Sequence, residues 1–264
     1  MYRVYATLFA NRFCLYFNKL LFQLSLRGLG ILNHVDYKIS GERHFLKNIV
    51  PKYSPTLIFD VGANVGNYTL EARKYNRCPI FSFEPNPPTA NQLKINIREC
   101  TSTSIFEIGM SNIKGSAEIF DDSTKESTSQ ASLYSEVISD FHHHEVKSTH
   151  IALTTIDEFC SDKNIKNISL LKIDTEGNEF KILEGAKQMI SVNQIDIIHF
   201  EFNSMNIASR VYFKDFFKVL SNYNLYRLLP HSILKLDYLN PVEYEIFAFQ
   251  NIIAIRKDID KEQY

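Results

Sequence analysis

Leu57-Ile58-Phe59-Asp60-Val61-Gly62-Ala63-Asn64-Val65-Gly66-Asn67-Tyr68-Thr69 is the stretch that decides the fold. An apolar run ends in an acid, a turn containing glycine follows, and helix-forming residues take over. This is the order of a strand, a tight turn and a helix, in which glycine lets backbone N–H groups approach a ligand where a Cβ would collide. The glycines are spaced G-x-x-x-G and lack the G-x-G-x-x-G of dinucleotide folds. Asp60 sits where its charge would repel a pyrophosphate and attract an ammonium or sulfonium. The turn therefore favours a cationic nucleoside over a nicotinamide dinucleotide.

The next apolar run ends Phe83-Glu84-Pro85-Asn86-Pro87, placing Glu84 24 residues after Asp60. That is near the spacing of about 20 at which an acid binds ribose hydroxyls. Asn86 before Pro87 reads as a helix start, with Asn as cap and Pro in the first turn. Further out, the runs 57–61, 79–83, 105–108, 168–173 and 195–202 read as strands, and 68–75, 87–98, 180–190 and 211–220 as helices. Several strands are apolar on both faces, as in a parallel sheet covered on both sides. The alternation predicts a doubly wound α/β domain. Residues 244–255 are expected to add one or two antiparallel edge strands, and the polar stretch 121–150 reads as a long loop or insert.

Composition excludes several classes. With 264 residues, 45% hydrophobic and 22% charged, the chain is globular rather than disordered. A net charge of −1 argues against a nucleic-acid partner. Only 9 residues are glycine, about half the usual share of about 7%, so each retained glycine deserves a reason. Four cysteines without a C-x-x-C pair support neither a zinc ribbon nor a thioredoxin-like site, and read as small buried hydrophobes in a reducing compartment. His142-His143-His144-Glu145 reads as a solvated loop, because adjacent side chains cannot all face one ion; no metal is expected.

Residues 1–50 carry seven basic and two acidic side chains, a net of +5, and leave −6 for the rest. Tyr5, Phe9, Phe13, Tyr16, Leu20 and Leu24 recur there at helical spacing. The stretch is consistent with a helix packed on the main domain or on a second subunit, a basic amphipathic helix on an anionic membrane through residues 1–33, or a mitochondrial targeting segment. No run of about 18 apolar residues exists to span a membrane. Asn11, Arg12, Asn18 and Lys19 interrupt any secretory signal, so a cytoplasmic location, peripheral at most to a membrane, is expected.

The motifs D-V-G-A-N-V-G-N-Y-T (60–69), F-E-P-N-P (83–87), T-T-I-D-E-F (154–159) and L-L-K-I-D-T-E-G-N-E-F-K-I-L-E-G-A (170–186) come in an order that resembles the FkbM family of S-adenosylmethionine-dependent methyltransferases. The likeness covers about residues 55–205 and includes the family's G-A-N form of the turn. It implies a mostly parallel Rossmann-like sheet of the class I methyltransferase type in residues 51–264, and the helical spacing in 1–50 reads as a helical extension ahead of that domain. It implies S-adenosylmethionine as cofactor, with Asp60, Gly62, Asn64 and Gly66 around the methionine part, Glu84 on the ribose, and Asn67 and Asn86 beside them. By the family's habits the acceptor is a hydroxyl of a glycan or glycan-like small molecule. Residues 1–50 and 121–150 lie outside the motifs and inherit nothing. An NAD-dependent oxidoreductase, disfavoured by the turn, and a non-catalytic nucleoside-binding scaffold are the alternatives.

Methyl transfer to a hydroxyl calls for a general base, and in an open parallel sheet the carboxyl ends of the strands supply one. Asp174 is the first candidate base or acceptor-positioning residue and Glu176 the second, unless Asp174 instead caps the next helix. Strand alternation puts His199 and Glu201 on one face. Glu201 is a third catalytic candidate, and His199 reads as a satisfied core histidine. Gly177 and Gly185 suit a turn and a close helix contact, and Thr155 with Glu158 a capping box.

Overall fold

The computed structural model describes residues 1–122, 146–237 and 240–261. Its strands in chain order are β1 (Ile58–Val61), β2 (Ile80–Phe83), β3 (Thr103–Phe106), β4 (Gly109–Met110), β5 (Gly115–Asp122), β6 (Val146–Thr154), β7 (Ile168–Ile173), β8 (Ile195–Phe202), β9 (Tyr223–Leu228), β10 (Ile233–Leu236) and β11 (Gln250–Arg256). Eight of them form one sheet in the order β10-β9-β11-β8-β7-β1-β2-β3. The five from β3 to β8 across that order are mutually parallel. All residues of β1 and β7 are buried, which explains why their sequences carry apolar side chains on both faces. The doubly wound α/β architecture expected from the alternation is present.

The C-terminal apolar stretch departs from expectation. β11 is antiparallel, yet it runs between β8 and β9 rather than along an edge. Ile252, Ile253, Ala254 and Ile255 are fully buried, and a strand apolar on both faces suits an interior place. The edge falls to β10, which exposes Lys235, a side chain that discourages pairing with another chain.

The helices lie close to their expected spans, at Asn67–Arg73, Pro87–Asn96 and Phe213–Val219. The expected helix 180–190 is two pieces, Glu179–Glu184 and Lys187–Ser191. They meet at Gly185, where a Cβ would lie 2.1 Å from the Ser111 carbonyl oxygen. Thr155 does start a helix, Ile156–Asp162, its hydroxyl accepting the Glu158 N–H at 3.0 Å. Part of the polar stretch 121–150 is strand, since β5 and β6 pair antiparallel from Gly115↔Leu153 to Asp122↔Val146 and bury Ile119, Ile151 and Leu153 together. The His142–His144 run lies outside the described residues.

The N-terminal fifty residues divide in two. Helices Tyr2–Phe9 and Leu15–Gly28 form a hairpin, pinned where the Asn18 amide donates to the Phe9 carbonyl at 2.9 Å and the Tyr5 hydroxyl to Asn18 Oδ1 at 2.6 Å. Among their side chains Leu26 alone is buried. The expected stripe therefore does not pack on this chain's own main domain: Tyr5, Phe13, Tyr16, Leu20 and Leu24 are exposed. From Ile31 onward the chain joins the core instead. Ile31, Phe45, Leu46, Ile49 and Val50 are buried, Ile31 bridges Gln250, and the Leu32 N–H donates to the Phe249 carbonyl at 2.8 Å.

Candidate functional site

Strand register assembles the site. Ser82, Asp60, Lys172 and His199 stand side by side across β2, β1, β7 and β8, so their side chains share one face of the sheet. Two residues further along the same chains come Glu84, Gly62, Asp174 and Glu201. Two polar rows thus lie at the carboxyl ends of the strands, where open α/β sheets bind ligands.

In the inner row the Asp60 carboxylate accepts the Thr69 hydroxyl at 2.5 Å, and that hydroxyl lies 2.8 Å from the Ser82 hydroxyl. Burial pushes the Asp60 carboxyl up to about 6, against the opposing pull of Thr69 and Lys172. His199 is fully buried with both ring nitrogens partnered, Nδ1 3.1 Å from the Tyr68 hydroxyl and Nε2 2.9 Å from Asn251 Oδ1. Burial, aided by Lys172, holds it far below the usual histidine range, so it is neutral. It is the satisfied core histidine that the sequence suggested.

Lys172 is the residue that sequence reasoning passed over. Its side chain is 1% exposed, and Nζ lies 3.7 Å from Asp174 Oδ2, 3.8 Å from Glu42 Oε1 and 3.9 Å from Glu201 Oε1. The ammonium also lies 5.3 Å from the centre of the Tyr68 ring. Burial opposes its charge, but Asp174, Glu201, Glu42 and Asp60 outweigh burial and raise its pKa. The available signal was one lysine inside an otherwise uncharged strand, Ile168-Ser169-Leu170-Leu171-Lys172-Ile173. Glu42, also unforeseen, arrives from the N-terminal segment and accepts the Ser40 hydroxyl at 2.8 Å.

The outer carboxyls differ in environment. Burial and then Asp174 push Glu201 well above the ordinary carboxylate range, and burial with Asp174 and Glu179 pushes Glu176 up to about 8. Asp174 is more open than Glu201, 39% exposed against 14%. It does not cap a helix, for the next helix begins after Asn178. The buried Glu179 carboxylate instead shapes this loop, accepting N–H groups from Thr175 at 2.9 Å and Gly177 at 3.1 Å. That role was not read from the sequence.

At the first turn, Gly62 has φ +80°, and a Cβ there would lie 1.8 Å from the Asp174 carbonyl oxygen. The N–H groups of Gly62 and Ala63 both donate to the Phe83 carbonyl at 3.0 Å. The glycine thus admits the neighbouring loop rather than freeing backbone donors for a ligand. The Asn64 N–H donates to Glu84 Oε2 and the Asn86 N–H to Glu84 Oε1, each at 2.9 Å, so both carboxylate oxygens are oriented by backbone. Asn86 does start the helix, but its side chain makes no cap bond.

These groups surround one cavity of about 740 Å³, within the range of a small-molecule site. Asp60, Gly62, Asn64, Asn67, Glu84, Asp174, Glu176 and Glu201 all line it. Gly66 and Asn86 do not. Gly66 stands behind the wall, where a Cβ would lie 2.7 Å from Leu93 and 2.9 Å from Ile97, and Asn86 acts through the backbone bond to Glu84. The facing wall is apolar, with Ile119, Ile151 and Leu153 from the small sheet and Phe247 and Phe249 before β11. Thr89 Oγ1 and Asn178 Oδ1 are buried on residues of this cavity without a hydrogen-bond partner, the condition of groups awaiting a polar ligand. Among the described residues, no group of three or more His, Cys, Asp or Glu is arranged to hold a metal ion.

The chain has relatives among known proteins. A family model described as the methyltransferase FkbM domain matches residues 60–228. The chain is similar to the hexuronic acid methyltransferase AglP of Haloferax volcanii, 25% identical over 144 residues, covering 52% of this chain and 53% of that protein. It is also similar to the 2-O-methyltransferase NoeI of Sinorhizobium fredii, 20% identical over 146 residues, covering 51% and 59% respectively. The chain thus spans a little over half the length of these curated relatives. A crystal structure of the methyltransferase FkbM from Methylobacillus flagellatus KT aligns over 76% of this chain and 44% of that one, with 14% identity and a TM-score of 0.45.

Proposed function

The chain belongs to the FkbM methyltransferase family, and from that premise we propose that it is an S-adenosylmethionine-dependent O-methyltransferase acting on a hydroxyl of a glycan or glycan-like metabolite. The observation that carries this reading is the pair of carboxylates at adjacent strand ends, Asp60 and the backbone-oriented Glu84, opening into one cavity with the Lys172 cluster. A hexuronic acid methyltransferase and a 2-O-methyltransferase among the relatives support a sugar hydroxyl as acceptor.

The residues fit the cofactor. Glu84 can accept ribose hydroxyls on oxygens whose direction is already set. The unpartnered Thr89 and Asn178 oxygens offer further polar contacts, and Asn64 and Asn67 line the same wall. Asp60 supplies negative charge toward a cationic ligand. When bound, S-adenosylmethionine supplies an electrophilic methyl group on a sulfonium sulfur.

The chain's own work in the reaction is orientation and proton removal. Asp174, which lines the cavity 3.7 Å from the Lys172 ammonium, accepts the proton of the attacking hydroxyl. Glu201 shares the same ammonium, and Glu176 stands next to Asp174 at the mouth of the loop. β5, β6 and the segment before β11 add apolar lining to the cavity.

Thermal denaturation with candidate cofactors tests the reading. At about 100 Kd, S-adenosylmethionine adds about 2.7 kcal/mol, roughly 5–10 °C in Tm, while NAD shifts nothing. A shift with NAD and none with the methyl donor refutes the proposal. Affinity for the methyl donor should rise with pH through about 6 as Asp60 ionises, a dependence that Asp60→Asn removes. With a hexuronic acid acceptor, Asp174→Asn should lower S-adenosylhomocysteine production by about 10²–10⁴-fold while leaving cofactor binding intact.

A further inference from the structure

The hairpin of residues 1–28 has the wrong outside for water. Phe13 is 95% and Tyr16 82% exposed, and Phe17, Leu20, Phe22 and Leu24 are each about half exposed, on helices that bury one side chain against the rest of the chain. So many exposed apolar side chains on one short hairpin mark a contact surface. The charges are one-sided as well: Arg3, Arg12, Lys19 and Arg27 occur before the first acid, Asp36. No helix among the described residues is long and apolar enough to cross a membrane, so the hairpin cannot act as a span.

Charge separates the two occupants that could cover such a face. A second copy of the chain would bring eight basic side chains together with no acid in either hairpin to offset them. A bilayer rich in anionic lipid complements both properties, taking the aromatic and aliphatic side chains at the acyl boundary and the basic ones among the phosphates. Long arginine and lysine stems can bury beside the rings while their charges stay at the headgroups. We infer that residues 1–28 form an interfacial anchor that docks the enzyme on an anionic membrane surface. Leu32, His34 and Tyr37 follow shortly after the anchor and line the cavity, so the anchor ends within ~14 Å of chain from the cavity wall.

The test is flotation of the full-length protein with phosphatidylcholine vesicles made with or without phosphatidylglycerol. Binding is expected on the anionic vesicles, at least tenfold weaker on the neutral ones, and weaker in high salt. Arg3→Gln, Arg12→Gln and Lys19→Gln together should lower binding to anionic vesicles roughly a hundredfold. Phe17→Ser, Leu20→Ser and Phe22→Ser should abolish binding to both, and neither set should alter the Tm shift given by S-adenosylmethionine. Absence of binding to either vesicle, or equal binding to both, overturns the inference. A dimer in sedimentation velocity that the serine variant dissolves, without vesicle binding, would assign the face to a second copy.

Discussion

The cavity floor and the N-terminal hairpin break the same rule in opposite directions. Around Lys172 the chain buries Asp60, Glu42, Glu84 and Glu179, residue types that are rarely inside. Over residues 1–28 it leaves phenylalanine, tyrosine and leucine outside. The first departure is balanced within the molecule, because one ammonium stands within 4 Å of three carboxylates and backbone N–H groups hold two others. Among the described residues nothing covers the second. Buried charge here goes with an assembled cavity floor, and exposed apolar surface is the observation on which the proposed anchor rests.

The contrast can be broken most severely at Lys172. Lys172→Met leaves Asp174, Glu42 and Glu201 without their shared cation and should cost about 3–5 kcal/mol in chemical denaturation. The sign of the pH dependence is a sharper mark than the size. Glu42 and Glu201 have folded pKa values above their unfolded ones, so protonation relieves the variant as pH falls, and its deficit grows as pH rises through those raised values. A pH-independent deficit would mean that packing, not charge, explains the loss.

Gly62→Ala should cost about 1–3 kcal/mol or more, because a Cβ meets the Asp174 carbonyl at 1.8 Å in a backbone conformation with φ +80°. Thr155→Ala removes one cap bond and should cost about 1 kcal/mol, setting the scale for an ordinary local loss. Deleting residues 1–20 should move the Tm least of all, within what about 0.5 kcal/mol produces, since no side chain in that stretch is buried. A large drop would show that the hairpin is covered by this chain's own domain in solution.

Much of the site was legible because strands repeat every two residues. Once 57–61, 79–83, 168–173 and 195–202 were read as parallel strands, their ends brought Asp60, Glu84, Asp174 and Glu201 to one crevice. Lys172 and Glu42 escaped because their meaning lies in contacts between distant segments that local periodicity does not encode. The place of β11 escaped for the same reason: its apolar pattern was plain, but strand order is a property of the whole sheet. Gly66 and Asn86 show a different limit. Motif membership marked them with the ligand-facing residues, whereas one spaces two helices and the other orients Glu84. A motif records what a site needs without separating what touches from what supports.

The bridge between Ile31 and Gln250 ties the end of the hairpin to the start of β11, and so to the calendar of synthesis. At about 5–20 residues per second, β11 leaves the ribosome roughly ten to forty seconds after the hairpin. Throughout that interval the central sheet lacks an interior strand and the hairpin has no finished domain behind it. A surface that captures the hairpin therefore meets a nascent chain before it meets an enzyme, and delivery to that surface would precede activity by the time needed to translate most of the protein.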